Sequence, residues 1–288
     1  MSARTAIGVF DSGVGGLTVL KELVALVPAA DYFYFGDTAR LPYGSKSVET
    51  VARYAISAAR FLEEKNIRLL VVACNTASAL ALPQIAGGVP VPVIGVIEPG
   101  ADAAAAASRT RKAVVIGTEG TVSSHAYKRA LAARGIEARE QACPLFVPLV
   151  EEGWTDHPVT EQVAHIYLDE LFGNGPVGAD VMVLGCTHYP LLKPLLRRLA
   201  PPQVTIVDSA EATAQAVAAR LGSAAVPAAV AGASSLPPRG QDARATAGKM
   251  PALRFFATDS VEKFRRLGER FLGHPVEDVL HVDLDRLP

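Results

Sequence analysis

Leu69-Leu70-Val71-Val72-Ala73-Cys74-Asn75-Thr76 and Val181-Met182-Val183-Leu184-Gly185-Cys186-Thr187-His188 are built the same way. Each opens with an unbroken apolar run, the pattern of a parallel strand buried on both faces. Each then presents a small residue, a cysteine, and polar residues suited to capping a helix. The carboxyl end of a parallel strand is where ligands bind in doubly wound sheets. A thiol at a helix N-terminus is expected to have a lowered pKa and to be reactive. Two such thiols suggest an acid and a base set around one substrate.

Strand and helix signals alternate outward from these two segments. Ala6 to Phe10, Asp31 to Phe35, Arg68 to Ala73 and Val93 to Ile97 read as strands. Helical patterns fall at Gly16 to Leu26, from Val48 to Leu62, and at Thr76 to Ile85. Glu98-Pro99-Gly100 then breaks the pattern. A second series follows, with strands at Lys112 to Ile116, Ile136 to Gln141, Asp180 to Leu184 and Val204 to Val207. Its helices are Val122 to Arg134, with Thr121 or Ser123 as cap, Thr160 to Phe172, and Leu191 to Leu199. This order predicts an α/β protein with mainly parallel sheets. The two series read as copies. Their first strands start 107 residues apart (6 and 113) and their cysteines lie 112 apart (74 and 186). A duplicated, pseudo-twofold pair of doubly wound domains with a shared cleft is expected. Residues 222–252, rich in Ala, Gly, Pro and Ser and without an aromatic residue, read as a flexible insertion. Structure is expected to resume at Leu253, with a helix near Ser260 to Leu272.

The 288 residues are enough for one large or two modest α/β domains. Half are apolar, 20% are charged, and the formal net charge is −1, so there is no basic excess for a nucleic-acid backbone. No apolar run approaches the ~20 residues that span a bilayer, and no signal peptide is evident. Three cysteines argue against a disulfide framework and for a reducing cytoplasm.

Several further segments carry chemistry. Asp11-Ser12-Gly13-Val14-Gly15-Gly16 follows the first strand. Its glycines permit a tight turn and close backbone approach to an anion. It lacks the G-x-G-x-x-G spacing and the P-loop lysine of nucleotide sites. Asp11 at a strand end can orient or deprotonate a neighbour, or simply cap the next helix. Pro42-Tyr43-Gly44 is a turn able to offer amides and a phenol to a ligand. His188, two residues after Cys186, can assist proton transfer. Cys-x-His alone supplies two metal ligands and Cys74 has no nearby partner, so no metal is expected. Cys143 lacks the matching polar run and reads as structural. The same residues also fit a Cys-His hydrolase, with Cys186 as nucleophile and His188 as base, or a non-catalytic amino-acid-binding protein. The hydrolase leaves Cys74 without a role.

Together these segments resemble the glutamate racemases of the aspartate/glutamate racemase superfamily, from about Ile7 to Leu221. The resemblance rests on Phe10 to Gly16, Gly36-Asp37-Thr38, Pro42-Tyr43-Gly44, Ala73 to Ala77, Ile116-Gly117-Thr118, Cys143-Pro144-Leu145 and Gly185 to Pro190. It implies cofactor-independent interconversion of L- and D-glutamate, supplying D-glutamate for peptidoglycan. It also implies two similar α/β domains, about 1–98 plus 208–288 and 99–207, with the site between them. Cys74 and Cys186 match the family's catalytic pair, with Asp11 assisting Cys74 and His188 assisting Cys186. An assisting carboxylate falls at Glu151, with Glu152 as the alternative. Substrate contacts carry over to Asp11, Ser12, Pro42, Tyr43, Gly44, Asn75, Thr76, Thr118, Thr121, Thr187 and His188. The implied small-molecule partner is glutamate, with neither nucleic acid nor membrane; family members assemble differently, and a homodimer is open for this chain.

Overall fold

The computed structural model describes residues 4–173, 178–222 and 251–288. The first series comprises β1 (Ala6–Asp11), α1 (Leu17–Leu26), β2 (Asp31–Gly36), α2 (Val48–Glu63), β3 (Leu69–Val72), α3 (Asn75–Gly88), β4 (Val93–Gly95) and α4 (Ile97–Ala107). The second comprises β5 (Lys112–Gly117), α5 (Glu119–Ser123), α6 (Ala126–Ala133), β6 (Glu137–Ala142), α7 (Phe146–Glu151), α8 (Pro158–Gly173), β7 (Val181–Gly185), α9 (Lys193–Leu199) and β8 (Thr205–Asp208). Then come α10 (Ser209–Leu221), β9 (Leu253–Ala257), α11 (Val261–Leu272) and β10 (Val279–His281).

The strands form two sheets, ordered β10-β9-β2-β1-β3-β4 and β6-β5-β7-β8. Every pairing among the described strands is parallel. The run β2-β1-β3-β4 has the order of β6-β5-β7-β8, so the two series are copies in topology. Register aligns their functional ends. Phe10 pairs with Val72 and Ile116 with Leu184. Asp11 therefore emerges beside Ala73-Cys74, and Gly117-Thr118 beside Gly185-Cys186. After residue 251 the chain returns to the larger sheet, where β9 pairs with β2.

Local signals account for most elements. Ser47 accepts from the Thr50 amide to cap α2, and Ser260 accepts from Lys263 to cap α11. Gly273, at φ 87°, ends α11 in the left-handed conformation that glycine adopts without strain. One apolar cluster joins the two units, running from Ile7 and Leu20 through Leu184 and Leu196 to Phe264. A second lies between the larger sheet and α2–α3, and a third between the smaller sheet, α4 and α6.

Three expectations are corrected. Glu98-Pro99-Gly100 does not interrupt structure but opens α4. Pro99 lies in the first turn, where its missing N–H breaks no helical hydrogen bond. The single helix from Val122 to Arg134 is two, α5 and α6, separated at His125, which has φ 54°. The cap of α5 is Thr118, whose Oγ1 accepts from the Thr121 amide at 3.2 Å, rather than Thr121 or Ser123. The 222–252 insertion lies, except at its edges, outside the described residues.

A buried carboxylate ties the start of β7 to the loop before β5. Asp180 accepts from Ser108 Oγ at 2.7 Å, Arg109 N at 2.7 Å and Thr110 N at 3.0 Å. Burial alone would raise its pKa, but these donors outweigh it and hold the group at about 2. A depressed pKa contributes stability above the unfolded value near ~3.9, and that contribution fades as pH falls toward 2. Asp180→Asn is therefore expected to cost about 1–3 kcal/mol at neutral pH, with the gap closing in acid. Denaturant unfolding at the two pH values checks this; an equal loss at both would remove the electrostatic explanation.

Candidate active site

Cys74 and Cys186 end matched strands, and each is 5% exposed. Their surroundings differ. Cys74 is the N-cap of α3, with Sγ accepting from the Ala77 amide at 3.5 Å and donating to Ser12 Oγ at 3.5 Å. Asp11, 1% exposed, is the neighbouring strand end. Its Oδ2 accepts from the Gly13 amide at 2.8 Å, while Oδ1 is buried without a protein partner. Burial raises the Asp11 pKa against the lowering effects of the loop amides and His188.

The expected lowering of the thiol pKa by a helix N-terminus does not hold at Cys74. Burial, followed by the charge of Asp11, pushes that thiol up to about 12. The contacts with Ser12 and Ala77 pull the other way but are weaker. Desolvation of a small anion exceeds what one helix end returns.

Cys186 is followed by a 3₁₀ turn, Tyr189–Leu192, instead of directly by an α-helix. Its partner is His188, with Nδ1 3.9 Å from Sγ. His188 Nε2 lies 3.1 Å from Glu151 Oε1, at the end of α7. It is Glu151, not Glu152, that reaches the imidazole. Burial disfavours the charged imidazole, but contacts with Cys186 and Glu151 outweigh this and raise its pKa to about 10. The His188 bond in turn holds Glu151 below its usual range against the effect of burial. At neutral pH this is an imidazolium–carboxylate pair directed at a sulfur.

Other expected residues have defined partners. Thr76 and Thr118 bring their hydroxyls to 2.9 Å across the two units, and Thr121 Oγ1 lies 3.0 Å from Thr118 Oγ1. A Cβ on Gly44 would lie 3.0 Å from the Thr118 Cβ, so the Pro42–Gly44 turn closes against the second unit. The Tyr43 phenol donates to Asp37 Oδ2 at 2.5 Å. Asp37 also accepts from Arg40 Nε and Thr258 Oγ1. The Asn75 side chain is likewise engaged, accepting from Tyr127 Oη at 2.8 Å and lying 3.5 Å from Ser209 Oγ. Thr187 is buried, and its carbonyl accepts from Thr18 Oγ1 across the units at 3.1 Å. Cys143 is buried beneath Tyr189, whose hydroxyl donates to the Cys143 carbonyl at 2.8 Å.

Two residues close to this site carried no assignment from sequence. A Cβ on Gly15 would lie 2.3 Å from Thr187 Oγ1 and 2.5 Å from His188 Nδ1. The Gly13–Gly16 run is its signal, since those glycines permit a tight turn and close approach, but nothing in it points to His188. Phe271 of α11 meets the His188 ring at 5.0 Å and 79°. A lone phenylalanine 83 residues further along gives no local signal. Among the described residues no group of three or more His, Cys, Asp or Glu side chains is arranged to hold a metal, and no helix is long and apolar enough to cross a membrane.

The geometry agrees with similarities to known proteins. Residues 7–217 match the profile of the Asp/Glu/Hydantoin racemase family. A glutamate racemase from Koribacter versatilis is 60% identical over 98% of each chain. The crystal structure of glutamate racemase from Thermus thermophilus, in complex with beta-chloro-D-alanine, is 44% identical with a TM-score of 0.81 over 98% of each chain. That from Francisella tularensis, in complex with D-glutamate, is 32% identical with a TM-score of 0.83 over 98% of each chain. With the profile covering most of its length and relatives matching it end to end, the chain belongs to the Asp/Glu/Hydantoin racemase family and, within it, to the glutamate racemases.

Proposed function

We propose that this racemase interconverts L- and D-glutamate by proton transfer between Cys74 and Cys186, without a cofactor, in the cytoplasm, and supplies D-glutamate for peptidoglycan. The observation that carries this reading is the placement of two buried thiols at equivalent ends of β3 and β7, in two sheets of the same strand order. We assign 1–98 with 208–288 to one domain and 99–207 to the other. The return of β9 and β10 to the larger sheet supports that division.

One thiolate removes the Cα proton from one face; the other thiol delivers a proton to the opposite face. The product leaves the first sulfur protonated and the second deprotonated, so the roles exchange when direction reverses. Cys186 accepts the proton of L-glutamate and Cys74 that of D-glutamate. The protonated His188 stabilises negative charge on the Cys186 sulfur, and Glu151 keeps His188 charged. Cys74, with a pKa near 12, starts as the proton donor. The unpartnered Oδ1 of Asp11 is the acceptor available to the substrate ammonium. Ser12, the Thr76, Thr118, Thr121 and Thr187 hydroxyls, and the backbone of the Pro42–Gly44 turn can hold the carboxylates. No lysine or arginine is among these positions, so recognition rests on neutral donors in a site shielded from water.

Hydrogen exchange in heavy water tests the reading. Wild-type protein is expected to incorporate Cα deuterium with inversion. Cys186→Ala should lose inversion yet slowly label D-glutamate with retention; Cys74→Ala should do the same with L-glutamate. Racemisation surviving either substitution refutes the two-thiol mechanism, and reversed enantiomer preference refutes the assignment of faces. Proton return before solvent exchange can silence one half-reaction, so loss of inversion in both variants is the primary readout.

Protonated His188 is present below about 10 and disappears as pH rises through that value. With Glu151→Gln the His188 pKa should fall toward its ordinary ~6.5, and the alkaline decline of L-glutamate turnover should move toward neutrality with it. A pH–kcat profile unchanged by this substitution would show that Glu151 does not tune the Cys186 side.

Gly15→Ala places a methyl group where Thr187 Oγ1 and His188 Nδ1 now lie. The expected loss in kcat/KM is about 100-fold, equal in both directions because the enantiomers have equal free energy. Activity within about twofold of wild type would mean the turn and imidazole separate without consequence.

A further inference from the structure

The two thiols are supported from different parts of the chain. The contacts of Cys74 with Ser12 and Ala77 lie within the first series. The Cys186 side extends through His188 and Glu151 to α11, a helix beyond the segment that matches the family profile.

Three side chains of α11 converge on that relay. Phe271, 2% exposed, sets its ring nearly perpendicular to the His188 imidazole. Arg270 Nη1 donates to the backbone carbonyl of Glu151 at 2.8 Å. Its guanidinium also packs beside Gly153, at φ 82°, where a Cβ would come within 2.9 Å of Nη1. Lys263 acts on Glu151 by charge, lowering its pKa together with His188. Residues 263, 267, 270 and 271 recur at the spacing of one helical face; Leu267 is buried on it.

The contacts solve a geometric problem. His188 precedes a 3₁₀ turn and has no side-chain capping bond of its own. Its 3.9 Å approach to Cys186 is long and does little to hold the ring. A ring able to rotate would lose Cys186 and Glu151 together. Phe271 supplies a wall on the ring, and Arg270 anchors the backbone that carries its other partner.

We propose that Phe271 and Arg270 are positioning residues for the Cys186 side of the site: docking of α11 holds the His188 ring between the Cys186 sulfur and the Glu151 carboxylate. The catalytic consequence rests on the two-thiol reading above; the structural claim does not. The groups acting on His188 are Cys186, Glu151 and Asp11, with Lys263 and Arg270 acting through Glu151. Removing the Phe271 wall lets the ring turn away from both Cys186 and Glu151; relief of the burial penalty offsets only part of that loss, so the His188 pKa should fall from about 10 toward ~6.5.

The test follows His188 directly in the full-length protein. Ring-labelled histidine is observed by nitrogen NMR, with His188→Gln assigning its signal among the six histidines. Phe271→Ala should lower the titration midpoint by about two units, Phe271→Leu by about one, and Arg270→Ala by about half a unit. Arg270 is exposed, so its variant keeps the test open if Phe271 substitutions prevent folding. Unchanged midpoints in folded variants overturn the proposal. The second arm uses the single-thiol proteins. In Cys74→Ala, Phe271→Leu should slow deuterium entry into L-glutamate about 10- to 100-fold. In Cys186→Ala it should change exchange of D-glutamate by less than about twofold. Equal loss on both sides reduces α11 to general support of the fold and overturns the proposal. If neither single-thiol protein exchanges and inversion survives in one of them, the two-thiol reading fails, and the NMR midpoint still decides whether α11 positions His188.

Discussion

Exclusion of water from Cys74 and Cys186 is the constraint on which the rest of the site depends, because a buried sulfur cannot hold charge unaided. Each thiol is almost wholly covered by protein. At Cys74 burial raises the thiol pKa to about 12, beyond what the α3 terminus and Ser12 recover. At Cys186 a buried imidazole is kept charged by its contacts with Cys186 and Glu151 against the same penalty. The low-dielectric setting makes each of these contacts strong and each missing partner costly. It also favours stabilisation of charge that develops on the substrate, since no water competes for the donors. The unpartnered oxygen of Asp11 is a buried acceptor in the same water-poor setting.

A duplicated topology supplies two equivalent strand ends, which suits a reaction that needs both faces of one carbon. Equivalent backbone does not produce equivalent chemistry. The β3 end carries a capping thiol beside a carboxylate, whereas the β7 end carries a thiol beside an imidazole and a 3₁₀ turn. The apolar cluster that joins the units holds these ends in one site. Contacts such as Thr18 with Thr187, Thr76 with Thr118, and Arg270 with Glu151 then set the distance across it. The third of these comes from a helix that is remote in sequence.

Much of this was legible in residue order. Buried apolar runs marked β1, β3, β5 and β7, since a strand covered on both faces needs no alternation. The repeated ending of β3 and β7 pointed to Cys74 and Cys186, and short-range spacing pointed to His188. The misreadings have definite causes. Pro99 looked like a breaker because its harmless position in a first turn depends on where the helix starts. Residue order does not show the partners of the Tyr43 phenol and the Asn75 side chain, Asp37 and Tyr127, which packing between elements chooses. The split at His125 rests on one positive φ angle, which no periodicity reports.

By itself, then, the chain's sequence determined the alternation of elements, the duplicated parallel architecture and the two thiols, because each is written in local pattern or in its repetition. Only the tertiary structure decided the raised pKa of Cys74, which of Glu151 and Glu152 reaches His188, and the placement of Gly15 and Phe271 against His188. The physical reason is that desolvation and hydrogen-bond partnership belong to the surroundings of an atom, and those surroundings are assembled from segments far apart in the chain.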